Sequence, residues 1–175
     1  MTGPPRRACS DHILSQERAF FVTTKTSLGR QLLQSERNAK LLIEVLRSGV
    51  AAREFRLHDF VIMPNHVHLL ITLNADMAIE KAMQLIKGRF SFRLKKEFGY
   101  LGEVWQRGFS EVRINDDQHF LRCQTYIAEN PVKAGYVDSA QKYPYCYTYL
   151  AAKKATGAKA RSLSDGAIGA TEVAP

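Results

Sequence analysis

Between Arg53 and Leu73 the chain makes two extended apolar runs that meet at Pro64-Asn65. Phe55, Leu57, Phe60 and Ile62 mark the first, Arg53 to Met63, and His66 to Leu73 forms the second. Proline has no backbone donor and asparagine favours turns, so the pair interrupts the extension and predicts a hairpin of two antiparallel strands. A lone hairpin cannot bury a core in water. The flanking segments must therefore supply further strands and the helices that cover them.

Before the hairpin, Arg18 to Lys25 is rich in strand formers, with Phe20, Phe21 and Val22, and stops near Gly29. Ser35 and Glu36 then open a helical pattern through Leu41, Leu42, Val45 and Leu46 that ends at Gly49. After the hairpin, Met77 to Phe98 carries Ile79, Met83, Ile86, Phe90 and Leu94 at three- and four-residue steps. Lys81, Lys87, Arg89, Arg93, Lys95 and Lys96 fall mostly elsewhere around that helix, which predicts a basic outer surface. A break at Gly99 to Gly102 leads to a fourth strand, Val104 to Ile114. Asp116 or Asp117 caps a further helix that Asn130-Pro131 ends. The order is β-α-β-β-α-β with an additional C-terminal helix: an α+β, ferredoxin-like fold built on a four-stranded antiparallel sheet. Helices cover one face of such a sheet, and the other is left for a ligand or an added helix.

With 175 residues, 45% of them hydrophobic, the chain can bury a core without disulfides. Cys9, Cys123 and Cys146 are odd in number and widely spaced, so neither a disulfide framework nor a zinc ribbon is indicated. No run of eighteen apolar residues and no secretory signal is present, which predicts a soluble, cytoplasmic protein with no membrane partner. The net charge of +8 points to a polyanionic partner. Between Arg18 and Leu150 there are 19 Lys plus Arg against 13 Asp plus Glu, so most of the excess belongs to the folded part. Residues 1–16 are expected to form a flexible arm, 17–150 the domain, and 151–175 a flexible tail poor in large apolar residues.

Two motifs carry chemistry. In Met63-Pro64-Asn65-His66-Val67-His68-Leu69-Leu70, strand alternation projects His66 and His68 from one face, with Val67 and Leu69 on the other. The two imidazoles are either polar residues on an open face or a pair that shares a cation. In Thr125-Tyr126-Ile127-Ala128-Glu129-Asn130-Pro131-Val132-Lys133-Ala134-Gly135, Tyr126 and Asn130 stack one helical turn apart, about 6 Å along the axis. Either Tyr126 packs on the sheet and Asn130 caps the helix, or an amide ligand and a phenolic nucleophile share one face.

Taken together, Pro-Asn-His-Val-His-Leu-Leu and Tyr-Ile-Ala-Glu-Asn-Pro-Val-Lys-Ala resemble the single-tyrosine transposases of the His-hydrophobic-His (HUH) superfamily, the IS200-like group. Within it the chain is most similar to the REP-associated tyrosine transposases. The resemblance spans about residues 18–149 and includes Phe21-Val22-Thr23-Thr24, Gln84 to Phe90, Val104-Trp105-Gln106-Arg107-Gly108-Phe109 and Tyr143-Pro144-Tyr145. It implies His66, His68 and Asn130 as ligands of Mg²⁺ or Mn²⁺, and Tyr126 as the nucleophile. The implied reaction is cleavage and rejoining of single-stranded DNA with imperfect hairpins through a 5′-phosphotyrosine, in a bacterial, nucleoid-associated protein that is a monomer or a homodimer. Lys87, Arg89, Arg93, Lys95, Lys96 and Arg107 are the expected DNA-binding residues. No dedicated base for the phenol is evident; Glu129 and water both stand as acceptors. A hairpin-binding protein without activity and a phosphodiesterase that activates water are the alternatives. The tyrosines at 143, 145, 147 and 149 depart from the family's shorter segment and are read as a strand or turn over the core.

Overall fold

The computed structural model describes residues 17–165, with side chains through Thr156; the arm expected at 1–16 lies outside the described residues, as does the tail beyond Asp165. The elements are β1 (Arg18–Lys25), α1 (Glu36–Ala51), β2 (Arg56–Met63), β3 (His66–Leu73), α2 (Ile79–Phe98), β4 (Ser110–Arg113), α3 (Asp117–Lys133) and α4 (Tyr147–Asp165). The four strands form one antiparallel sheet in the order β2-β3-β1-β4. The expected β-α-β-β-α-β body is present, and the additional helix is α3.

Register decides which side chains meet. β1 and β3 pair along their full length, from Arg18 opposite Leu73 to Lys25 opposite His66. Alternation then sends Val22, Val67, Leu69 and Ile71 to one face, where they pack with Leu42 and Leu46 of α1 and Met83, Ile86 and Phe90 of α2. Each large aliphatic side chain buried there contributes about 1.5–3 kcal/mol. The other face carries Val61, Met63 and Leu70 against Cys123 and Ile127 of α3. Here α3 packs on β2 and β3. Over β4 the same face stays open, with Val112 on it 49% exposed.

Three expectations are corrected. The fourth strand is not continuous from Val104 to Ile114, because only Ser110–Arg113 runs in regular register with β1. Upstream, Trp105 pairs with Thr26 alone. Two residues lie between Thr23 and Thr26 while four lie between their partners, Trp105 and Ser110, so two extra residues loop out as a bulge at Arg107-Gly108. Gly108, at φ 70°, takes the left-handed conformation that this loop requires.

The third helix does not end at Asn130-Pro131 but runs through Pro131 to Lys133. Pro131 gives up its own donor to the preceding turn, yet the helix continues past it, with Ala134 donating to Asn130 O at 3.0 Å. Gly135, at φ 75°, follows the last turn. Asp116, rather than Asp117, is the N-cap, its carboxylate accepting from His119 N at 2.7 Å.

The late tyrosine run is only partly the covering strand or turn expected. Ile62 N donates to Tyr145 O at 2.9 Å, and the Tyr143 hydroxyl donates to Ile62 O at 2.8 Å, so Tyr143 to Cys146 covers the outer edge of β2. Tyr147 then opens α4. This helix runs past Leu150, where the sequence places the end of the domain, and its residues 151–156 are all exposed.

Candidate active site

The two histidines reach their positions through strand alternation and a tight turn. His66 starts β3 directly after Asn65, and its Nδ1 lies 2.8 Å from Asn65 Oδ1. The amide oxygen can only accept, so Nδ1 carries the proton and Nε2 keeps a free lone pair. His68 sits opposite Thr23, with Nδ1 2.8 Å from Thr23 Oγ1. The Thr23 hydroxyl can hold that ring in the same tautomer. This is the arrangement by which outer hydrogen bonds orient imidazole ligands.

Electrostatics keep both rings neutral. Burial lowers the His66 pKa, the neighbouring Asn130 amide raises it, and the positive charge of Lys25 lowers it again. His68 is 5% exposed, and burial, then His66, then Lys25, push its pKa down to about 4. At neutral pH each imidazole is therefore a lone-pair donor. Their ring centroids are 4.9 Å apart.

Opposite them, α3 presents two adjacent stripes. Cys123 and Ile127, four residues apart, anchor the helix in the core. Tyr126 and Asn130 form the next stripe at the same spacing and lie at the rim of the packing. The Tyr126 ring meets His68 edge-on at 5.2 Å and Phe21 at 5.7 Å, while Phe21 stacks on His68 at 5.3 Å. Tyr126 remains 45% exposed, so the residue is accessible to a large substrate. Sequence spacing alone leaves Asn130 a choice between capping the helix and facing the histidines; it lies inside the helix, beside His66. The donor set is then two neutral imidazoles and one carboxamide, which fits a divalent ion accepting both nitrogen and oxygen. Among the described residues no group of three or more His, Cys, Asp or Glu is arranged to hold a metal; the further donor that stands beside the two rings is the Asn130 amide.

The expected DNA-binding residues divide. Lys87 Nζ donates to Gln106 O at 3.0 Å and Gly108 O at 2.7 Å, tying down the bulge. Arg89 makes a two-pronged ion pair with Glu54, both contacts 2.5 Å, and Arg93 bridges Glu97 and Glu44. Lys95 and Lys96 are exposed. All five lie on α2, which packs against the face of the sheet opposite His66 and His68. Arg107, in the bulge, lines a groove with Thr23 and is the one the fold brings to the site. Trp105 is core, its Nε1 donating to Lys87 O at 3.1 Å.

A model of the family described as "Transposase IS200 like" matches residues 20–130, which include both histidines, Tyr126 and Asn130. The chain belongs to the IS200-like transposase family. A protein of Haemophilus influenzae is 35% identical over 96 residues, 48% of this chain and 53% of its own length. The REP-associated tyrosine transposase of Escherichia coli K12 is 28% identical over 129 residues, 72% of this chain and 73% of the relative. The chain thus spans about half the length of the first relative and nearly three quarters of the second. The structure of a REP-associated tyrosine transposase bound to a REP hairpin superposes with a TM-score of 0.60 at 24% identity, covering 100% of this chain and 94% of that one, which extends the likeness to the fold.

Sequence reasoning missed Thr23, Asn65, Phe21 and Lys25. The first two orient the histidines, Phe21 stacks on His68, and Lys25 stands directly across from His66. Strand alternation from Phe21 to Lys25 would have placed all three β1 residues on one face, but not on the histidine face until the pairing of β1 with β3 was known.

Proposed function

We propose that the IS200-like member described here is a single-stranded DNA nickase and strand transferase with Tyr126 as its nucleophile. The observation that carries this reading is the Tyr126 ring against His68, with Asn130 beside His66, all on one chain. His66, His68 and Asn130 would hold Mg²⁺ or Mn²⁺, the nitrogen-rich set favouring Mn²⁺; once bound, the ion supplies Lewis-acid polarisation of the scissile phosphate.

The protein's own residues account for the rest. Thr23 and Asn65 fix the imidazoles, and Phe21 stands against both His68 and the Tyr126 ring, so the ring that carries the phenol is held beside the histidine pair. The phenol gives up its proton as its oxygen attacks phosphorus in line. The bond from phosphorus to the 3′-oxygen breaks, that oxygen takes a proton to become a 3′-hydroxyl, and the downstream strand stays on Tyr126 as a 5′-phosphotyrosine. Reversal by another 3′-hydroxyl rejoins strands, since one phosphodiester replaces another of similar energy. Glu129 is engaged with Lys133 at 2.6 Å on the exposed side of α3, which favours water over Glu129 as the proton acceptor. The substrate class follows from the family and from the relative seen with a REP hairpin: single-stranded DNA in which an imperfect hairpin adjoins the cleavage point. The ferredoxin-like body of residues 17–150 would act as one domain.

Labelled hairpin DNA incubated with Mg²⁺ or Mn²⁺ and run on a denaturing gel tests this reading. A covalent protein–DNA band is expected from the wild type and not from Tyr126→Phe or His66→Ala. Cleavage that persists in Tyr126→Phe yet needs His66 would instead support a phosphodiesterase using water. Binding without cleavage under all conditions would support a hairpin-binding protein without activity.

A further inference from the structure

The bulge that interrupts β4 leaves a groove of about 240 Å³ between the end of β1 and residues 106–110, lined by Thr23, Lys25, Gln106, Arg107, Gly108 and Ser110. Gln106 N donates to Lys25 O at 2.9 Å on the β1 side, and Lys87 grips the Gln106 and Gly108 carbonyls from α2. The bulge is thus fastened on two sides, its carbonyls turned away, while Arg107 is exposed.

Lys25 lies directly across from His66 in the β1–β3 pairing, so the two side chains leave the same face about 5 Å apart at Cβ. Among the described residues neither Lys25 nor Arg107 has a carboxylate within ion-pair distance, whereas Arg89 and Arg93 on α2 are both paired. The groove begins at Thr23, which holds His68, and Gln106 and Arg107 also line a neighbouring hollow with Ser27 and Leu28. Two unpaired cations on a firm support, reached from the candidate nucleophile across the part of the sheet that α3 leaves open, suit a linear polyanion passing over β1.

We propose that Lys25 and Arg107 form a backbone-phosphate site, which holds the linkage next to the scissile one and leads the single strand away across β1 and β4 rather than along α2. The proposal rests on the reading of Tyr126 and the histidines as the cleavage centre, because that reading locates the scissile phosphate. Lys25 and Arg107 are then positioning residues, acting on a neighbouring linkage.

Binding measured in EDTA keeps this question apart from cleavage. A fluorescein-labelled single-stranded oligonucleotide, followed by anisotropy across a salt series, is expected to bind Lys25→Gln and Arg107→Gln about threefold to tenfold more weakly than the wild type. The slope of log affinity against log salt should fall by about 0.7 for each cation removed. Lys25→Arg and Arg107→Lys should restore most of the loss, which a merely structural role would not predict, and Lys95→Gln with Lys96→Gln should change little. A neutral methylphosphonate at the linkage adjacent to the nick should weaken the wild type but not the Lys25→Gln/Arg107→Gln double variant. Unchanged affinity and slope in both groove variants, or a loss confined to the α2 pair, would overturn the site. If the groove variants lose binding while the wild type forms no covalent adduct, the cleavage reading fails and the binding groove stands. If the wild type forms the adduct while the groove variants bind as tightly as it does, the groove fails and the cleavage reading stands.

Discussion

His66 and His68 differ in how far they are withdrawn from water, and the difference comes from neighbours that a linear sequence does not announce. Phe21 and Thr23 sit over His68 because β1 pairs with β3 in one particular register. The His-x-His spacing was legible as a shared face, and so was the stacking of Tyr126 on Asn130. Their meeting across the sheet was not, since it depends on which face α3 covers. Asp59 offers a residue-scale test away from the site. Burial raises its pKa to about 6, and its one hydrogen bond, from Phe60 N at 2.8 Å, only partly offsets this. A carboxyl whose folded pKa is raised holds its proton more tightly in the native state, so its contribution to stability falls as pH rises from about 4 to about 6 and stays low above that. Asp59→Asn, which can keep the bond to Phe60, should therefore gain roughly 1–3 kcal/mol over the wild type at pH 7.5 and much less at pH 4, by urea unfolding at both pH values. Leu28 offers another. It is 86% exposed at φ 56°, so Leu28→Gly loses little burial and relieves a left-handed conformation. A change between zero and about 1 kcal/mol in favour of the variant is expected from thermal unfolding.

Among the elements, α3 is held less firmly than α1 or α2. Two of its buried side chains, Cys123 and Ile127, pack into a small cluster with Val61, Met63 and Leu70, whereas α1 and α2 share the main core. Ile127→Ala should cost about 2–4 kcal/mol in urea unfolding. Hydrogen exchange in α3 should rise before exchange in β1 and β3, since the loss is local to the small cluster. Equal acceleration in all three elements would show that α3 is not a separate unit. The long periodic elements, α1, α2, β2 and β3, were readable because a buried stripe repeats over several turns or an alternation over several residues. β4 and the end of α3 were not. The apolar residues Val104, Trp105 and Phe109 look continuous with Val112 and Ile114, yet Trp105 turns into the main core and the two residues after Gln106 loop out. At Pro131 the rule that proline ends a helix fails, because Ile127 and Pro131 are buried against the sheet side and the last turn closes beyond the proline, through Ala134 N on Asn130 O.

For the molecule as a unit, the basic charge that suggested a polyanion is divided between α2, where Lys95 and Lys96 are exposed, and the surroundings of the histidines. On α2, Arg89 and Arg93 are matched with carboxylates and Lys87 serves the bulge; among the described residues the unpaired cations next to the histidines are on β1 and the β4 bulge. Among the described residues no helix is long and apolar enough to cross a membrane. We propose, from the Tyr126 ring against His68 of the same chain, a site complete within one subunit. Mixing His66→Ala with Tyr126→Phe should then restore no adduct; recovery on mixing would mean that the site forms between two copies. The proposed chemistry stands or falls on Tyr126 becoming the covalent link to cleaved DNA. Intact-mass measurement of the protein after reaction with a single-stranded hairpin substrate and Mn²⁺, followed by peptide mapping, decides this. A mass increase equal to the downstream fragment is predicted, located on the peptide that contains Tyr126, with a free 3′-hydroxyl on the released strand. Cleaved DNA with no protein adduct, or an adduct on any other residue, would contradict it.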